Sequence, residues 1–128
     1  MADHVPHFPG RAAIDAYGDG GFRFADMSHK GSILLLPSGV YGWPVSDIAQ
    51  VTPGDFAPVL AEADDVAFLI LGCGMEFALP SGAVRDAFAA ANVGLEPMDT
   101  GAAARTYNVL LAEGRAVAAA LIAVDEPK

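Results

Sequence analysis

Val66-Ala67-Phe68-Leu69-Ile70-Leu71 is an unbroken apolar run, closed by Gly72-Cys73-Gly74. A run this short, bounded by turn residues, reads as a strand covered on both faces. Upstream of it, Asp55 is placed to cap a helix, with Phe56, Val59, Leu60 and Ala63 on one stripe and Asp64-Asp65 at its end. Downstream, Pro80-Ser81 opens a second helix whose stripe is Val84, Ala87, Phe88 and Ala91, and Asn92 to Gly94 ends it. Leu95-Glu96-Pro97-Met98 is a short extended piece. Asp99-Thr100-Gly101 supplies capping oxygens for a third helix with Ala103, Tyr107, Leu110 and Leu111 inward, and Gly114 terminates it. Arg115 to Ala123 makes a last strand whose small residues let helices approach closely. Helices alternating with strands favour parallel pairing through helical crossovers.

The first half has another rhythm. Ile14-Asp15-Ala16-Tyr17 and Phe22-Arg23-Phe24 alternate around Gly18-Asp19-Gly20-Gly21, which predicts a β-hairpin. Ser28–Gly31 leads into Ser32-Ile33-Leu34-Leu35-Leu36, a second short apolar run closed by Pro37-Ser38-Gly39. Val40 to Val45 is extended, and Pro44 confines it to an edge or ends it there. Pro6 and Pro9 deny regular structure to an N-terminal arm over residues 1–10. The expectation is a single layered α/β domain over residues 11–128, with a mixed β-sheet flanked by helices and an N-terminal hairpin.

The chain has 128 residues, 53% of them apolar and 18% charged, which is enough to bury one continuous core. No apolar stretch approaches the roughly 20 residues of a membrane helix. The opening Met1-Ala2-Asp3-His4-Val5-Pro6 lacks a basic start followed by an apolar run, and Cys73 has no second cysteine to pair with. Both features place the expectation in the reducing cytoplasm. The formal net charge is −9, and the seven Lys and Arg are scattered. Such a field repels DNA, RNA and anionic lipid, so nucleic acid and membrane insertion are excluded as partners. A protein partner with a basic patch fits.

Candidate chemistry is sparse. Gly72-Cys73-Gly74 follows a buried strand as phosphate-binding loops do, but a dinucleotide fingerprint wants a third glycine where Phe77 stands. The plain alternative is a tight exit from the strand. A nucleophilic Cys73 needs a base or cation beside it, and its sequence neighbours supply neither. His4-Val5-Pro6-His7 has no further ligand at metal spacing, so no metal and no cofactor is expected. Arg85 on the second helix, and Arg105 with Asn108 on the third, offer groups for an anion or a partner carboxylate, or else for surface ion pairs. Trp43 and Tyr41 form a contact surface or pack the sheet edge.

Leu71-Gly72-Cys73-Gly74, then Leu79-Pro80 with Arg85, then Glu96-Pro97-Met98-Asp99-Thr100, and above all Ala104-Arg105-Thr106-Tyr107-Asn108-Val109-Leu110-Leu111, resemble a known domain of unknown function. It is the domain found in mitochondrial complex I assembly factor 3 and in the adipogenesis-associated domain protein. Gly31 to Trp43 looks like that family too. The resemblance implies a three-layer α/β fold with a central mixed sheet, and an accessory role in building a respiratory NADH dehydrogenase. It implies no catalytic residue. Family members commonly carry Thr where Cys73 stands, which argues against catalytic use of this thiol. Two functions therefore enter the structural description as expectations. One is a non-enzymatic binding or assembly module, itself a potential homodimer, working through Trp43, Arg105 and Asn108. The other is a small-molecule or anion-binding protein or enzyme, with Gly72–Gly74, Cys73, Arg85 and Arg105 converging on a pocket.

Overall fold

The computed structural model describes residues 7–127. The expected irregularity of residues 1–6 lies outside them. Within the arm, Phe8–Pro9 (β1) pairs antiparallel with Gly39–Trp43 (β6), where an irregular segment was expected. Proline tolerates this because β1 lies at the sheet's edge, where a missing donor costs no interior ladder bond.

The main sheet adds Ser32–Leu36 (β5), Phe68–Gly72 (β7), Gly94–Met98 (β8) and Val117–Leu121 (β9). Its order is β1-β6-β5-β9-β7-β8. Pairing is antiparallel from β1 to β9 and parallel among β9, β7 and β8, so the sheet is mixed, as expected. β5 and β9 are buried at every position, consistent with continuous apolar runs.

Alternate residues of these strands feed two cores. Leu34, Leu36, Leu69 and Leu71 face the helix Gly82–Ala90 (α2) and the single turn Ala57–Leu60 (α1), meeting Phe56, Val59, Val84 and Phe88. Ile33, Leu35, Ile70 and Leu121 face the helix Thr100–Ala112 (α3), meeting Ala103, Ala104 and Tyr107. The same side receives Phe22 and Phe24 from a separate three-stranded sheet, Ala16–Gly18 (β2), Gly21–Phe24 (β3) and Met27–Lys30 (β4). The molecule is thus layered as helix, sheet, then helix with ribbon. The hairpin forms as read, and Met27–Lys30 extends it to three strands.

The first helix is shorter than its stripe suggests. Thr52 and Asp55 form a capping box over the 3-10 turn Pro53–Phe56, so Asp55 sits inside the turn rather than at its cap. Helix α1 lasts one turn, with a proline at its start, although Phe56 and Val59 are fully buried as the stripe requires.

Two crossovers set which face of the sheet each long helix occupies. β7 runs through α2 to β8 on its outer side, and β8 returns through α3 over β7 to β9. Crossovers between parallel strands keep one hand, so reversing the direction of travel moves the helix to the opposite face. That is why α2 and α3 lie on opposite sides of the sheet.

Candidate functional site

In α/β sheets the place to look for a ligand is the carboxyl end of the strands where the travel direction reverses. Here that place lies between the exits of β7 and β8, at Gly72-Cys73-Gly74 and Asp99-Thr100. It is stitched shut. Cys73 N–H donates to the Met98 carbonyl at 2.8 Å, and Thr100 N–H to the Gly74 carbonyl at 2.8 Å. Gly74 N–H donates to Thr100 Oγ1 at 3.0 Å, and that hydroxyl donates onward to the Ile122 carbonyl at 2.7 Å. The amides a phosphate would need from Cys73 and Gly74 are therefore already engaged. Gly72 is required for a packing reason, since a Cβ there would lie 3.0 Å from both Leu121 Cδ2 and Thr100 Oγ1.

Cys73 is buried, and its thiol donates to the Ala78 carbonyl at 3.0 Å. Burial pushes its pKa up, away from the thiolate, and the nearby Asp99 carboxylate acts in the same direction. The cavity of about 220 Å³ beside Gly74 is lined by Asp47 and Asp125 and carries no cationic side chain. Its sign is wrong for an anion.

The remaining sequence candidates separate. Trp43 is core: its indole Nε1 donates to the Asp55 carbonyl at 2.8 Å, and its ring packs on Phe56, which meets Phe88 edge-on. Asn108 Nδ2 donates to the Ile14 carbonyl and Asn108 Oδ1 accepts from the Ile14 amide, each at 2.8 Å. Arg105 is exposed on α3 beside Gly101, whose bare Cα admits the Tyr17 hydroxyl. Arg85 is exposed on α2, across the sheet from Arg105. The pocket in which Gly72–Gly74, Cys73, Arg85 and Arg105 were to converge does not form, because the two helices occupy opposite faces. Thr100 is the residue sequence reasoning undervalued. It was read as a capping oxygen, whereas Asp99 makes the cap to Ala102 N–H at 2.9 Å and Thr100 plugs the crevice.

A groove of about 290 Å³ lies between α2 and β8, lined by Leu79, Arg85, Phe88, Val93, Leu95 and Pro97. The loop entering α2 carries Phe77 and Leu79, 60% and 59% exposed. Neither was read as a surface signal, since an apolar residue in a loop is ambiguous until its burial is known.

Among the described residues no helix is long and apolar enough to cross a membrane, and no group of three or more His, Cys, Asp or Glu side chains is placed to hold a metal. The model of the family described as "Protein of unknown function (DUF498/DUF598)" matches residues 14–122. An uncharacterised protein of Rhodobacter capsulatus is 42% identical over 123 residues, covering 95% of this chain and 93% of that one. The mouse NADH dehydrogenase [ubiquinone] 1 alpha subcomplex assembly factor 3 is 30% identical over 115 residues; the match covers 90% of this chain and 62% of the mouse protein. The crystal structure of a Bartonella henselae protein, described as an outer membrane protein, superimposes with a TM-score of 0.90 at 51% identity, covering 93% of this chain and all of that one.

Proposed function

The chain belongs to the DUF498/DUF598 family of proteins of unknown function, and from that membership we propose that it is a non-enzymatic, protein-binding module of the cytoplasm that assists assembly of a respiratory NADH dehydrogenase. The observation that carries the reading is the 30% identity to mouse assembly factor 3 along 90% of this chain. The internal chemistry supports it. Cys73, Asn108, Trp43 and Thr100 are each engaged in a hydrogen bond within the fold. Phe77 and Leu79 stand outward in one loop, and Arg85 and Arg105 are exposed, which suits a protein-binding surface.

Deletion of the gene in the host organism tests the role. Native gels of the membrane fraction, stained for NADH dehydrogenase activity, should show less of the assembled complex, restored by the intact gene. An undiminished complex would remove the reading. Cell fractionation tests the compartment. Recovery in the soluble fraction is expected; recovery with the envelope, where the name of the Bartonella relative would put that protein, would overturn the cytoplasmic placement.

A further inference from the structure

The groove between α2 and β8 deepens the protein-binding reading, on which the following rests. Its floor is apolar: Phe88, Val93 and Leu95. Leu79 forms one wall, and Phe77 stands two residues before it in the same exposed loop. Two large hydrophobic side chains held about 60% exposed in one short loop, next to an apolar groove, mark an interaction surface. Arg85 is the single charged side chain lining the groove, and it makes no ion pair among the described residues.

The edge of the sheet restricts the form of the partner. Gly94 N–H and the Met98 carbonyl both bond inward, to Ala67 and Cys73. By alternation, Leu95 and Pro97 turn their backbone groups outward. Proline has no N–H, so the exposed side of β8 offers the Leu95 donor and lacks the next one. An added strand would find an interrupted ladder. A helix needs no ladder from its host, because its own backbone is satisfied internally.

We propose that this groove receives an amphipathic helix of a partner protein, with its apolar face on Leu79, Phe88 and Leu95, Phe77 closing over it, and a carboxylate of that helix paired with Arg85. The guanidinium fork suits a carboxylate, and no other charged side chain lines the groove to compete for it. Phenylalanine and arginine are both enriched at protein interfaces.

The test is photo-cross-linking in the host cells from benzoylphenylalanine placed at position 77 of the full chain, with sequencing of the linked peptide. A second probe at Val109, 58% exposed on α3, serves as the control position. The expected product arises from position 77 and not from 109. Its linked segment has apolar residues spaced three and four apart, with an Asp or Glu within one turn. Arg85→Glu should cut its yield at least roughly fivefold, because like charges then meet in the groove. Thermal melts of Arg85→Glu should match the parent, as the residue is exposed.

A link to a second copy of the chain, a linked segment without a carboxylate or without helical spacing, equal yield in Arg85→Glu, or no product would each overturn the proposal. A respiratory partner linked only from position 109 sinks the groove and spares the assembly role. A helix of an unrelated protein linked from position 77 does the reverse.

Discussion

The carboxamide of Asn108 does for Ile14 what a neighbouring strand would do. It accepts from the Ile14 amide and donates to its carbonyl, both at 2.8 Å, and so ties the entry of the β2–β4 ribbon to α3. Asn108→Ala leaves both groups of a buried residue unpaired, at a cost of about 1–3 kcal/mol. Urea melts should show that loss, and amide exchange at Ile14 should accelerate beyond what the global loss explains. An unchanged Ile14 exchange rate would mean that water replaces the clamp. His29 carries a second residue-scale effect. Burial lowers its pKa, its Nε2 bond to the Ser32 carbonyl opposes this, and the His7 ring, with centroids 4.9 Å apart, adds to the lowering. The unfolded chain titrates its histidine near 6.5, so between that value and the lower native one the unfolded state binds more protons. Stability therefore rises with pH through this window and falls as pH drops below about 6.5. His29→Gln should flatten that part of the curve, measured as denaturation midpoints from pH 7.5 down; an unaltered slope would assign it elsewhere.

Turns explain what could be read of the elements and what could not. The β2–β3 turn uses Asp19 and Gly20 at φ 52° and 75°, the positive pair of a tight hairpin, and its glycines announce it. The β3–β4 turn uses Ala25 and Asp26 at φ 48° and 63° with no glycine at all. That is why Met27–Lys30 read as a lead-in rather than as a strand. The strands β5, β7 and β9 were legible because a run covered on both faces must be apolar throughout. Helix α3 was legible because its cap, stripe and Gly114 terminator agree. The reading of α1 failed at its start, since a Thr52–Asp55 box and an Asp55 cap are alternatives that the same residues offer. Ala25 also gives a prediction at this scale. A left-handed alanine costs about 1–2 kcal/mol, and asparagine tolerates that region better. Ala25→Asn should raise the melting temperature, with a gain of roughly 0.5–1 kcal/mol in denaturant titrations. A loss would mean that the Ala25 methyl contributes more by packing on the ribbon-side core than its backbone costs.

For the molecule as a whole, the candidate site was harder to read than the fold because it depends on handedness. Arg85 and Arg105 occupy helices of similar character, and nothing in the spacing of the two stripes says that one helix crosses above the sheet and the other below. The reversal of strand order does say so, but it appears only once β8 is known to lie outside β7. Between described residues one ion pair forms, Arg115 with Glu113 at 3.9 Å, both side chains 54% exposed, against a net charge of −9 on the whole chain. An exposed pair of this kind contributes little, so repulsion among carboxylates outweighs attraction. Salt discriminates the two signs. Screening weakens attraction where pairs dominate and relieves repulsion where excess charge dominates. Raising sodium chloride from about 20 mM to about 200 mM shortens the Debye length from roughly 20 Å to about 7 Å, so the melting temperature should climb by a few degrees. Asp64 and Asp65 are adjacent and exposed. Asp64→Asn with Asp65→Asn should raise the low-salt melting temperature and shallow the climb. A melting temperature that falls as salt rises would show that attractive pairs, not the surplus of acid, govern the electrostatics of this fold.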